Sequence, residues 1–184
     1  MPQFLSRYFR AKPIDVQTVR SGLWTAVDQT AYAGEKAAYQ AAILDQYKMY
    51  VEMADRVSAR RALANGFFLS LNTATLTAAG ALWGSKFLTS WLLFLPLCLL
   101  LAQTAAWFWI VRSYRQLNSA KYIVVGMLEE RLPASPYWSA EWQALGEGKD
   151  KALYWPLTHL EQWLPVTLAV VYVLGFVVAV VLPH

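Results

Sequence analysis

The side chains that could carry acid–base, nucleophilic or metal chemistry are two histidines, one cysteine and scattered carboxylates, and their spacing brings none of them together. His159 and Glu161 stand two residues apart, so on a helix they point in different directions, and a hydrogen-bonding role at a membrane interface suits His159 better than catalysis. His184 is the last residue of the sequence. Glu129 and Glu130 are adjacent and diverge around a helix, as on a solvated face. Cys98 is the single cysteine, which excludes an intramolecular disulfide. The glycines form neither a P-loop nor a dinucleotide fingerprint. No catalytic residue, cofactor site or metal site is predicted, and an enzyme acting on lipid would lack a nucleophile–base pair.

A different kind of polar pattern is informative. The stretch ALANGFFLSLNTATLTAAGALWG, from Ala62, has no charge yet carries Asn65, Ser70, Asn72, Thr73, Thr75 and Thr77. Ser70, Thr73, Thr77, Gly80 and Gly84 follow a helical period, and Asn65 and Asn72 lie seven apart. Small and hydroxyl-bearing residues let membrane helices approach closely and hydrogen-bond. Asn65, Ser70, Asn72, Thr73 and Thr77 are therefore candidates either for a polar interhelical face or for the lining of an aqueous lumen.

The elements that position these residues follow from charge and hydropathy. Of 184 residues, 57% are hydrophobic and 15% charged, and nine are Trp, a composition that expects lipid contact. Ala62–Ser85, Phe87–Val111 and Gln162–Pro183 lack charged side chains over the about 20 residues that a spanning helix needs. Nine Lys and Arg precede the first of these segments, six lie between the second and third, and Lys86 stands alone between the first and second. The positive-inside rule then predicts a cytoplasmic N-terminus and, after three spans, a C-terminus on the periplasmic or extracellular side. The acidic residues share the same two cytoplasmic regions, so the formal net charge of +4 describes mixed-charge helical surfaces and argues against a nucleic-acid partner. No cleavable signal peptide is visible in MPQFLSRYFRAK.

The expected fold class is an all-α integral membrane protein. An antiparallel two-helix transmembrane hairpin is extended by cytoplasmic helices, and a third transmembrane helix follows at the C-terminal end. Residues 1–33 form a cytoplasmic N-terminal segment, where Phe4, Tyr8 and Phe9 alternate with Arg7, Arg10 and Lys12, suited either to a membrane surface or to folding against the helices. Residues 34–61 form a cytoplasmic amphipathic helix whose Ile43, Tyr47, Tyr50, Ala54 and Val57 recur every three or four positions, the period of a packing seam. Residues 62–111 form the hairpin, with spans at about 63–83 and 88–111 and a turn at Gly84, Ser85 and Lys86. Between Leu97 and Val125 neither Pro nor Gly interrupts the second helix, so it continues into the cytosol.

Residues 112–163 hold that stalk, with Tyr114, Leu117, Val124 and Leu128 on the matching stripe, and a Trp-rich loop. Pro133, Pro136, Gly146 and Gly148 mark turns there, and one short helix is expected around Ser139–Leu145. Trp138, Trp142 and Trp155 imply that this loop docks on the bundle. Residues 164–182 form the third span. Trp83 and Trp91 are expected at the outer interface, and Trp107, Trp109 and Tyr114 at the inner one.

Three blocks carry a family resemblance: YKMYVEMADRVSARRALANGFFLSLNTA from Tyr47, SYRQLNSAKYIVVGMLEERLPASPYWSAEW from Ser113, and LYWPLTHLEQWLP from Leu153. Over roughly residues 33–184 the chain resembles the RipA family of octameric membrane proteins, and its helix order is similar to that of SLATT-type bacterial membrane effector domains. The resemblance implies a homo-oligomer of the bacterial cytoplasmic (inner) membrane, an octamer, whose subunits touch through the cytoplasmic helices. It implies no catalytic residues. By motif match it marks Arg60, Asn65, Asn72, Arg115, Asn118 and Lys121 as structural positions.

Two functions follow as expectations. The first is a pore-forming or membrane-perturbing effector, controlled through the cytoplasmic helical layer by a regulatory protein or signal, in defence or stress response. The second is a non-conducting oligomeric scaffold that organises partner proteins. A single hairpin and one further helix cannot enclose an aqueous lumen, so the first reading requires several subunits around it.

Overall fold

The computed structural model describes residues 14–83, 94–150, 152–154 and 157–181, with backbone alone for 82–83 and 157–159. It is all-helical, with no strand among the described residues. The aromatic and basic positions of residues 1–13, the Gly84–Lys86 turn, Trp91, Trp155, His184 and the side chains of Trp83 and His159 lie outside this description.

The first helix, α1, spans Val16–Leu23 and begins at Asp15, whose carboxylate accepts the Gln17 amide at 3.0 Å and the Thr18 hydroxyl at 2.7 Å. These contacts satisfy amides that the first helical turn leaves open, and they hold the Asp15 carboxyl below its ordinary value, the Thr18 hydroxyl contributing most. Asp28 does the same for a 3₁₀ turn at Gln29–Tyr32, which closes through Ala33 (φ 54°) and Gly34 (φ 76°) in left-handed conformation.

From there α2 runs without interruption over Lys36–Trp83, about 72 Å at 1.5 Å per residue. The amphipathic helix expected over 34–61 and the first uncharged segment are thus one element, with no Pro in it and only Gly66 and Gly80 as glycines. The third element, α3, spans Phe94–Glu129, and α4 spans Leu157–Val181. Both are long and apolar enough to cross a membrane; α2 is not among the helices that meet that criterion, its polar side chains lowering its hydropathy.

The start of α4 lies seven residues before the expected 164. Pro165 falls inside the helix, and the preceding turn is secured by the side chains of Glu161 and Gln162. The loop helix also starts early. A π-helical turn covers Pro136–Glu141 and passes into a short α-turn at Trp142–Ala144.

The chain forms two compact units, one of Met1–Ser58 with Gln116–Trp155, the other of Ala59–Arg115 with Pro156–His184. In the first, Tyr47, Tyr50 and Ser58 of α2 meet Glu129, Lys121 and Asn118 of α3, an antiparallel register. In the second, α2 again runs antiparallel to α3, with Phe68 stacked on Trp107 at 6.1 Å. There α4 also packs on α3, with Leu168 against the cluster of Phe68, Trp107 and Val111 and Tyr172 in a second cluster with Leu97 and Leu100.

Candidate functional site

In the second unit, the polar face of α2 divides in two. Asn65 and Asn72 turn inward. Asn65 Oδ1 accepts the indole N–H of Trp107 at 2.8 Å, and Asn72 is 1% exposed, its amide donating to the Phe68 carbonyl. Thr75 joins them, its hydroxyl accepting from Gln103 Nε2 at 3.1 Å while donating to the Leu71 carbonyl. This is a polar seam between α2 and α3 in which Asn72 Oδ1 and Gln103 Oε1 have no partner. Such groups are costly in an apolar layer and favour a fixed helix pairing.

Ser70, Thr73 and Thr77 turn outward and are exposed, together with Gly66 and Gly80. Thr73 and Thr77 donate to the carbonyls of Leu69 and Thr73, which leaves the face smooth and locally satisfied. A Cβ added at Gly66 or Gly80 would meet nothing within 4 Å, so these glycines have no packing role in their own chain. Of the five residues read as one polar set, the structure brings Asn65 and Asn72 together on the inner seam and leaves Ser70, Thr73 and Thr77 on the outer face.

Trp107 is fully buried, with Phe68 covering its ring and Asn65 taking its N–H. Trp109 is exposed. The end of the same unit gathers Arg61, Arg112 and Arg115. Arg61 Nε lies 3.1 Å from Glu161 Oε2, Arg115 Nη1 donates to Gln162 Oε1 at 2.7 Å, and Arg112 stands 5.9 Å from the centre of the Trp109 ring. Arg60 is exposed and Tyr114 half-buried.

The first unit holds a second buried polar centre. Glu129 is 1% exposed, which overturns its reading as part of a solvated face. It accepts from Tyr47 Oη at 3.0 Å, Ser135 Oγ at 2.7 Å, the Tyr137 amide at 3.2 Å and the Trp138 amide at 3.0 Å. The two amides open the helical turn at Pro136, so the carboxylate caps that turn from the end of α3. Burial, and then the bond to Glu129, push the Tyr47 phenol well above its ordinary value. Glu130, by contrast, is exposed and makes a two-point pair with Arg20 at 2.6 and 2.8 Å. Arg131 lies over the Trp24 ring at 3.4 Å and donates to Tyr39, tying the N-terminal turns to the end of α3.

Ile43, Ala54 and Val57 are buried and Tyr47 and Tyr50 partly so, while on α3 Leu128 is buried, Val124 partly buried and Leu117 47% exposed. The buried stripe of α3 in this unit is Asn118, Lys121, Val125 and Leu128. Lys121 lies over the Tyr50 ring at 5.0 Å and Asn118 donates to Ser58 at 3.2 Å, so two polar residues occupy seam positions that an apolar pattern passes over. Gly126 was also missed. A Cβ there would overlap the Trp138 ring, the close approach that docks the loop.

Among the described residues no group of His, Cys, Asp and Glu could hold a metal. A family model described as the octameric membrane protein family (8xMP) matches residues 44–181. No curated protein and no solved structure matches the chain.

Proposed function

The chain belongs to the octameric membrane protein family, and from that premise we infer that it builds a homo-octamer whose subunits pack through the outer face of α2. The observation that carries this reading is the exposed row Gly66, Ser70, Thr73, Thr77 and Gly80, with open space over both glycines. In lipid, such a row serves close backbone approach between neighbouring helices. Each subunit crosses the membrane three times, α2 and α3 as a hairpin and α4 as the third span. The N-terminus lies in the cytoplasm of a bacterial inner membrane and the C-terminus outside. Asn65, Asn72, Thr75 and Gln103 fix the hairpin. The assembly then acts as a non-conducting scaffold, and the first unit offers the surface for partner proteins.

The pore-forming effector reading has one observation in its favour, the hydroxyls of Ser70, Thr73 and Thr77 on that same outer face. Cysteines at Thr73 and Thr77, in a Cys98→Ser background, separate the two readings. Packing predicts disulfide-linked subunits on oxidation and no labelling by a membrane-impermeant thiol reagent. Ready labelling, with ion flux from reconstituted vesicles, would instead place the face in water and favour the effector.

A further inference from the structure

Charge is divided unequally between the two units. The first holds eleven Lys and Arg and eleven Asp and Glu. The second holds five Lys and Arg but a single carboxylate, Glu161, so the whole formal net charge of +4 belongs to it. Four of those five cations are Arg60, Arg61, Arg112 and Arg115. Three of them gather at this end of the unit: Arg61 and Arg115 touch the neighbouring Glu161 and Gln162 of α4, and Arg112 stands one turn before Arg115 on α3. Arg112 is 7% exposed. By formal charge, this end of the unit carries more cations than carboxylates. Guanidiniums gathered at close quarters and partly desolvated favour an anionic ligand.

The level of the cluster says which anion. The uncharged stretch of α3 ends at Val111 and that of α4 begins at Gln162, so the arginines sit where both helices leave the apolar layer. Trp109 and Trp163 beside them are 44% and 62% exposed, the position of rings that rest among headgroups. Guanidinium forks match the oxygens of a phosphate in two-point hydrogen bonds.

We propose that Arg61, Arg112 and Arg115 form a binding site for the phosphodiester of an anionic phospholipid in the inner leaflet, with Trp109 and Trp163 against its glycerol and upper acyl region. The site needs α3 and α4 in the membrane but not the packing of α2 against a neighbour, so either idea can fail alone.

The test extracts the full-length protein from vesicles of mixed phosphatidylcholine and phosphatidylglycerol and measures retained lipid by native mass spectrometry. Phosphatidylglycerol is expected to be enriched over the bulk mixture, and Arg115→Gln to lower that enrichment about fivefold. Arg56→Gln, at an exposed pair with Glu52 in the first unit, should leave it unchanged. If Arg115→Gln does not assemble, the double variant Arg61→Lys, Arg115→Lys keeps the charge, and so the topology, but loses the forks, and its enrichment should fall as well. Absence of enrichment in the wild type, or equal enrichment in the assembled variant, overturns the proposal. Enrichment that survives excess inorganic phosphate supports a lipid ligand; displacement by phosphate would assign the site to a soluble anion and overturn the lipid assignment.

Discussion

Replacing Glu129 by Gln should release the Trp-rich loop while leaving the helices intact. The carboxylate takes four hydrogen bonds, two at each oxygen, and two of the donors are amides that begin the turn at Pro136. A glutamine keeps one acceptor oxygen and turns an NH2 group toward the other pair of donors. Each partly buried donor left unmatched costs about 1–3 kcal/mol, and part of that is offset because a charge is no longer buried. A net loss of about 2–3 kcal/mol follows, which raises the local opening constant of the loop about 30- to 150-fold. Amide exchange of Tyr137–Trp142 in the detergent-solubilised protein reads this directly, with the amides of α3 between Val111 and Val125 as the internal standard. Tyr47→Phe removes one of the four bonds and should accelerate exchange by about fivefold. If the loop amides exchanged at the wild-type rate in Glu129→Gln, the carboxylate would not be what holds the loop, and the argument for a capped, docked turn would fail.

Three further outcomes follow from the same structure. Gly126→Ala should weaken loop docking because the new Cβ would overlap the Trp138 ring, whereas in a Trp138→Ala background the same change should stabilise the helix by about 1 kcal/mol, both read by thermal unfolding. Trp107→Phe keeps the stack on Phe68 but removes the donor to Asn65, and should cost about 0.6 kcal/mol in a bilayer reference, measured by unfolding in nanodiscs. The Tyr47 phenol, held protonated in the fold, contributes stability that is complete below its ordinary value of 10.0 and is lost as the pH rises beyond it. Loop exchange should therefore accelerate above pH 10.0, and Tyr47→Phe should remove that component.

Much of the helical layout was legible because its signals are local. The absence of Pro and Gly between Leu97 and Val125 shows in α3, and the spacing of Ile43, Tyr47, Tyr50, Ala54 and Val57 shows in the buried or half-buried face of α2. Illegible were the positions where a polar or absent side chain is used by a partner far along the chain. Lys121 reads as a surface residue until Tyr50 is placed beneath it. Glu129 reads as solvated because nothing local shows that Tyr47, 82 residues before it, and the turn after Pro136 will supply its donors. Gly126 is one helical glycine among several until the Trp138 ring lies on it.

By itself, then, the sequence determined the helical class, the uncharged segments and the concentration of polar small residues in Ala62–Trp83, because apolar periodicity and the placement of charge act within a few turns of helix. Which of those polar residues face their own chain was decided only by tertiary structure. Asn65 bonds Trp107 of α3 and Asn72 is buried, while Ser70, Thr73 and Thr77 are exposed. A helical repeat fixes angles around one axis, but the partner that occupies each angle is set by how distant segments pack.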